Sequence, residues 1–476
     1  MHDIQAIHRV YGDIVRVAPN EISIARSEGW NDIYCRRPGH QPFPKNPIWW
    51  GDVPGRTPSI VSTPNLADHR RMRTLLSTCF TPSALQAQEP AVISYVDEMM
   101  AQLRRRCGKQ DHHTAIINIV DWIQFVTFDI IGDLAFGETF QCLDNNALHP
   151  WVAELFTYSR VGAAVAALRH YTIIFSLIMR CLPAKILKAS QDNYQWGVEK
   201  THRRLNLEVQ REDFISRIVQ YSDNEDLQMS LPELENNMNL LIFAGSDTCA
   251  TVLSGTINYL VKTPHAWKSL IHEIRSSYRD ASEITFSSSK KLPYLVATVE
   301  EGLRLCPPNP SGLQHIVPSG GDTVCGHWLP GGVCSRSFWR RGCLSRYSTR
   351  LMHIPLHQTH VSVHQQSLYR SNKRFYQPDT FWPERWLPIA KADPMSRFHN
   401  DDINAVQSFG TGSWSCIGKD LAYGELRVTL AKLCWCFDLS AAVGGRNVDW
   451  LMQKTYAMVE RQPFDVQLSY AGGKLV

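Results

Sequence analysis

Near the C-terminus one cysteine stands between glycines, in the run Phe409-Gly-Thr-Gly412-Ser-Trp414-Ser-Cys416-Ile-Gly418. From Lys419 to Lys432 the apolar residues recur at helical spacing, so Cys416 lies in a glycine-rich turn that leads into a helix. Amide N–H groups and the positive end of a helix dipole favour a thiolate at such a place. No second cysteine or histidine stands beside it. Zinc needs about three or four protein ligands, so this thiolate suits an axial position on heme iron better. The glycines let the backbone approach a flat macrocycle and point N–H donors at the sulfur.

A second constellation is Ala244-Gly245-Ser246-Asp247-Thr248-Cys249, an acid and an alcohol side by side in an apolar run. Burying such a pair without a use is costly. Ser230-Leu-Pro-Glu233 supplies a capping serine, a proline in the first turn and a glutamate three residues after the cap. The pattern predicts one long helix from there to about Val261. Further on, Glu301 and Arg304 share one helix face and can pair, and Pro307-Pro308 ends that helix. Exposed pairs of this kind contribute little alone. Phe381-Trp-Pro-Glu384-Arg385-Trp386 and Asp68-His69-Arg70-Arg71-Met72-Arg73 complete the set.

In this order the motifs resemble those of the cytochrome P-450 family, whose heme loop reads Phe-x-x-Gly-x-Arg-x-Cys-x-Gly. Phe409, Gly412, Cys416 and Gly418 match it, and Trp414 stands at the arginine position. The resemblance implies heme b with Cys416 as its metal ligand and Phe409, Gly412, Gly418, Ala244 and Gly245 around it. Thr248 is then the hydrogen-bond partner of dioxygen, Asp247 a proton relay, and Gly245 the gap that leaves room for oxygen. His69 occupies the tryptophan position of a Trp-x-x-x-Arg helix, and His69 and Arg73 are expected to reach the heme carboxylates. Gln314-His315 stands where Pro-Arg is common; a protonated His315 could donate to a carboxylate, whereas Trp414 offers one N–H. A carboxylate without its arginine loses a bond worth roughly 1.5–3 kcal/mol, so weaker heme retention is expected, with ligation intact. Glu301, Arg304 and Arg385 are implied as a buried ion triad, structural in role.

The motifs run from position 69 to 418 and must converge on one cofactor, so the expectation is a single catalytic domain over residues 1–476. The implied fold is mainly α with a small β-rich lobe, the cytochrome P-450 fold. Charged residues make up 20% of the chain and the net charge is +4, which points to no nucleic-acid partner. Thirteen irregularly spaced cysteines do not read as a disulfide framework, and a reducing compartment follows. The apolar stretch from Val161 to Leu182 is interrupted by Arg169, His170 and Arg180, too charged to span a bilayer. It falls where the family has substrate-access helices that touch lipid in membrane-bound members, so the stretch is read either as a site of peripheral membrane contact or as buried helices.

The opening residues resemble the first sheet region of fungal members without the hydrophobic anchor usually ahead of it. We therefore expect an anchor outside this gene model and, by resemblance, the cytoplasmic face of the endoplasmic reticulum. No flavin or nicotinamide motif is present, so electrons are expected from a separate NADPH-cytochrome reductase. The implied reaction is monooxygenation: O2 and two electrons, with one oxygen atom inserted into an apolar small molecule of fungal secondary metabolism. Two rivals are a heme-thiolate isomerase or dehydratase, which the Asp247–Thr248 pair argues against, and a non-catalytic chain from a faulty gene model.

After Pro330-Gly-Gly332 the family runs directly into a segment like Thr359-His-Val-Ser-Val-His-Gln-Gln. Here residues 333–358 intervene, basic and without period. Val333-Cys334 can be encoded GTATGT and Gln358 as CAG, so we read the segment as a translated intron. The alternative is a true surface insertion, tolerated at modest entropic cost.

Overall fold

The computed structural model describes residues 2–51, 56–108, 114–181, 184–207, 211–221, 228–331, 358–456 and 458–471. Of the atypical segment 333–358, all but Gln358 lies outside the described residues. Contacts divide the chain into two compact units built from alternating stretches of sequence.

The first unit comprises residues 1–51, 309–378 and 402–416. Its sheet is formed by Ile14–Ala18 (β1), Glu21–Ile24 (β2), His315–Ile316 (β3) and His360–Val363 (β4), in the order β1-β2-β4-β3. β1 and β2 pair antiparallel, with an irregularity between Arg16 and Ala18. β2 and β4 run parallel with Ile22 opposite Val361, and β3 returns antiparallel to β4. β-Branched residues suit such a pleated surface, and every residue of β4, a central strand, is buried. Trp30, Ile33, Tyr34, Leu368, Tyr369 and Phe375 fill the core beside Ile22, Ile24 and Val363.

The second unit comprises residues 52–308, 379–401 and 417–476 and is mostly helical. The helices that matter for the site are Leu66–Ser77 (α1), Ile119–Phe136 (α2), Leu231–Leu260 (α3), Pro293–Leu305 (α4) and Lys419–Cys436 (α5). α3 starts where the capping residues predict. The Glu233 carboxylate accepts from the Ser230 backbone N–H at 2.8 Å and from its hydroxyl at 3.1 Å, and Val261 caps the other end. α1 is tied to this start by Arg71, whose guanidinium lies 2.6 Å from Glu233. α3 packs on α2, α4 and α5, and α2 is buried along its length except at Asp121, with Phe128, Ile130 and Leu134 almost fully buried. Each such side chain contributes roughly 1.5–3 kcal/mol by leaving water. A three-stranded antiparallel sheet of Thr114–Asn118, Asp465–Tyr470 and Phe437–Ala441 completes the unit.

Candidate active site

The cysteine loop belongs to the first unit and is fastened from below by aromatic side chains. The Trp30 indole donates to the Ala405 carbonyl at 2.9 Å, and the Tyr369 hydroxyl accepts from the Gln407 amide at 2.9 Å. Thr411 donates to the Trp30 carbonyl at 3.2 Å. The Cys416 amide donates to the Phe409 carbonyl at 2.8 Å, closing the loop on itself. Gly412 has a φ of +68°, and a Cβ there would lie 2.1 Å from the Tyr34 carbonyl oxygen, so no other residue fits this turn. Burial pushes the Tyr34 and Tyr369 phenols far above their ordinary value, so both remain neutral hydrogen-bonding struts. Despite this anchoring, none of residues 406–416 is buried, and the Cys416 thiol is exposed. A fixed loop presenting one thiol and an uncovered face fits a flat iron macrocycle.

Beside the loop, Trp414 meets two other side chains. The Lys45 ammonium lies 4.1 Å from the centre of its ring, and the His315 ring is tilted against it at 6.1 Å. His315 is buried, and that burial, with the Lys45 charge nearby, lowers its pKa to about 4 although the Leu313 carbonyl acts the other way. Its Nδ1 lies 3.1 Å from that carbonyl, which can only accept, so Nδ1 carries the proton. The buried Nε2 is then a bare acceptor without a hydrogen-bond partner. Near neutral pH this imidazole is therefore uncharged, so the condition under which His315 would donate to a carboxylate is not met.

In the second unit the acid–alcohol segment lies mid-α3. Ala244 is exposed, and Leu240, Gly245 and Thr248 are half-buried, whereas Ser246, Asp247, Cys249, Ala250 and Thr251 are buried. Leu240, Ala244 and Thr248 are spaced one turn apart, so they form an accessible strip along the middle of the helix. Thr248 donates to the Ala244 carbonyl at 2.7 Å, which holds its hydroxyl on that strip. The space beside Gly245 is not free: a Cβ there would lie 2.6 Å from the Ile131 Cδ1. The gap expected at Gly245 is thus taken by α2, and the glycine serves close helix packing.

Asp247 has a partner that no motif announced. The Arg461 guanidinium lies 2.7 Å from its carboxylate, with both side chains about 2% exposed. Arg461 also donates to the Asp247 carbonyl at 2.9 Å and to the Thr251 hydroxyl at 2.5 Å. The strip consequently ends at Thr251, under the guanidinium. Removing one member of such a buried pair costs roughly 3–5 kcal/mol, because the other charge is left alone.

The glutamate of α4 is more heavily satisfied. Arg304 donates to Glu301 through Nε at 2.8 Å and Nη2 at 2.7 Å, a bidentate pairing. Arg385 adds a bond at 3.2 Å, the Trp382 amide one at 2.9 Å and the Trp386 indole one at 2.9 Å. The structure thus brings Glu301, Arg304 and Arg385 together and adds a fourth charge, Asp401, which accepts from Arg385. Burial acts to raise the Glu301 pKa, but Arg304 and Arg385 overcome it and hold it at about 2.

The remaining residues of the expected site are His69, buried on α1, half-buried Arg73 one turn on, and half-buried Gly418, the cap of α5. Sequence reasoning missed Lys45, Asp401 and Arg461. Each is one ordinary charge in a segment without periodicity, so no local signal marked it.

The sequence model of the family described as Cytochrome P450 matches residues 1–333 and 339–468. The chain is 38% identical over 466 residues to the cytochrome P450 monooxygenase astJ of Aspergillus oryzae, covering 98% of this chain and 86% of that protein. It is 34% identical over 468 residues to the cytochrome P450 monooxygenase astA of Talaromyces wortmannii, with the same coverage of 98% and 86%. Its fold is similar to that of the cytochrome P450DA heme domain, with a TM-score of 0.72 at 15% identity over 99% of this chain and 92% of that one. With the cysteine loop, the acid–alcohol helix and the buried ion cluster in place, this chain belongs to the cytochrome P450 family of heme monooxygenases, which use O2, a redox partner and a small-molecule substrate.

Proposed function

We propose that Cys416 is the thiolate ligand of heme b, in an enzyme that oxygenates an apolar small molecule of fungal secondary metabolism. The observation that carries this reading is the fastened but uncovered cysteine loop of residues 406–416. When bound, heme supplies dioxygen activation, and a thiolate ligand favours O–O cleavage. Phe409, Gly412 and Gly418 shape the loop around the sulfur, and His69 and Arg73 are the contacts for heme carboxylates. Ala244 lines the accessible side of α3, and Gly245 beside it brings that stretch of backbone close to α2. The Thr248 hydroxyl, oriented by the Ala244 carbonyl, donates and accepts protons there, and Asp247 replenishes them when its carboxylate turns from Arg461. Glu301, Arg304 and Arg385 hold the fold rather than take part in chemistry.

One catalytic domain spans residues 1–476 in this reading, and residues 333–358 are a translated intron. Electrons come from a separate NADPH-cytochrome reductase. The helix Thr172–Cys181 exposes Ile173, Ile174, Leu177 and Ile178 close to Arg169 and Arg180, a composition suited to peripheral contact with the cytoplasmic face of the endoplasmic reticulum. Flotation with anionic vesicles tests that contact, and loss of flotation is expected for I173S/L177S.

The decisive experiment compares the full chain with a form lacking residues 333–358 in reduced carbon-monoxide difference spectra. A thiolate-type, strongly red-shifted Soret band lost in Cys416→Ala supports the ligand assignment; a band retained in that variant sinks it. Sequencing of mature transcripts tests the intron reading, which fails if the codons for 333–358 are present.

A further inference from the structure

We propose that Asn236 and Asn237 set how long a substrate this enzyme accepts, by holding one turn of backbone across the N-terminal end of the accessible strip on α3. The inference rests on the reading of Thr248 as the dioxygen-facing end of that strip. Asparagine is a weak helix former, because its side chain competes for backbone hydrogen bonds. Two nevertheless stand side by side in the second turn of α3, and both bond the backbone of a neighbouring segment. The Asn236 side-chain nitrogen donates to the Thr57 carbonyl at 2.6 Å. Asn237, fully buried, accepts from the Ile60 backbone N–H at 2.9 Å. Its own nitrogen donates to the Glu233 carbonyl at 2.8 Å, which fixes the carboxamide with its oxygen toward Ile60.

The held segment is braced within itself. The Thr63 amide donates to the Ser59 carbonyl at 2.8 Å, and the Ser59 amide donates to the Ser62 hydroxyl at 2.9 Å. A further tether is Arg56, whose guanidinium lies 4.2 Å from the centre of the Tyr194 ring on the helix Ala184–Leu205. Asn236 stands one turn before Leu240, so it continues the line of Leu240, Ala244 and Thr248. Thr57, bonded to its side chain, closes the line there, and Arg461 over Thr251 closes it at the other end. Between these stops, Leu240 and Thr248 lie about 12 Å apart along the helix axis. The line is apolar except for the Thr248 hydroxyl, so it suits an extended apolar substrate with its oxidised carbon near Thr248. A stop made of tethered backbone does not swing aside as a long side chain does.

The test titrates 1-alkylimidazoles, from methyl to dodecyl, into the heme-loaded natural chain, Asn236→Ala, Asn236→Asp and Asn237→Ala. The readout is the Soret shift as the imidazole nitrogen binds iron. For the natural chain, affinity is expected to rise by up to about fourfold per added methylene. The rise should level off near the octyl chain, whose extended length with its ring is close to that of the strip. Asn236→Asp keeps the side chain's size and loses its donor. It and Asn236→Ala should extend the rise to the decyl chain or beyond, while 1-methylimidazole binds within about twofold of the natural affinity because it is too short to reach the stop. Asn237→Ala should do the same, and where it does not hold heme the two Asn236 variants decide. An unmoved levelling-off in both Asn236 variants overturns the assignment. So does an equal loss of affinity at every length, which is what a purely structural role produces. A natural chain whose affinity rises unbroken to dodecyl overturns the stop itself. In each of these cases the 1-methylimidazole shift still supports the heme site; its absence from the natural chain overturns that reading as well.

Discussion

Two glutamates on packed helices of the same unit, Glu301 of α4 and Glu425 of α5, are almost equally buried, at 0% and 4% exposure, yet behave as opposites. Glu301 has two arginines, a backbone amide and an indole, and its pKa is held at about 2. Glu425 has the Cys249 thiol, which offsets little of the burial that pushes its pKa up to about 8, and its Oε1 has no hydrogen-bond partner. Burial acts alike on both carboxyls, so the difference lies in the compensating charge. A buried acid stays ionised where cations surround it and carries its proton at neutral pH where none does.

The largest break in this contrast is Glu301→Gln, which leaves Arg304 and Arg385 facing a neutral amide. A loss of up to about 5 kcal/mol is expected, seen as failure to accumulate heme-loaded protein and absence of the carbon-monoxide band. Next is Arg461→Met, expected to cost about 3 kcal/mol in denaturant unfolding because Asp247 is left buried without its cation. Adding Asp247→Asn should recover at least half of that loss; equal losses in the single and double variants would refute the pairing.

The pH dependence sharpens the comparison, because the two glutamates contribute slopes of opposite sign. The folded pKa of Glu301 lies below its ordinary 4.5, so its stabilisation is present above 4.5 and is lost as pH falls toward about 2. The folded pKa of Glu425 lies above 4.5, so its favourable contribution is complete below 4.5 and declines as pH rises toward about 8. At pH 7 that decline amounts to about 3 kcal/mol. Glu425→Gln should therefore raise the unfolding midpoint at pH 8, by an amount corresponding to at most about 4 kcal/mol, and flatten the profile between about pH 5 and 8. An unchanged slope would show that Glu425 is ionised or hydrated in the folded protein.

The smallest expected effect is Gly245→Ala, whose methyl meets the end of the Ile131 side chain. Because that terminus can rotate, the cost should be about 1 kcal/mol. A companion Ile131→Val substitution should relieve it in a thermal scan. No loss of stability in Gly245→Ala, and no response to Ile131→Val, would return Gly245 to the role of leaving an open space.

Much of the site was legible because its parts are local. The capping residues Ser230 and Glu233 announced α3, which begins at Leu231. The spacing of Glu301 and Arg304 put them on one face of α4, and the glycines around Cys416 marked a turn that admits no side chain at 412. These are relations within a few residues, governed by backbone geometry and helical period. Other properties depend on what long-range folding brings near. Nothing within a turn of Asp247 indicates Arg461, Asp401 joined the ion cluster unannounced, and the space beside Gly245 was filled by a residue of α2. The neutral state of His315 and the opposite charge states of Glu301 and Glu425 have the same origin. A side chain's chemistry follows from residue type and neighbours in sequence only until burial removes water. After that, the field of distant groups packed against it sets its charge.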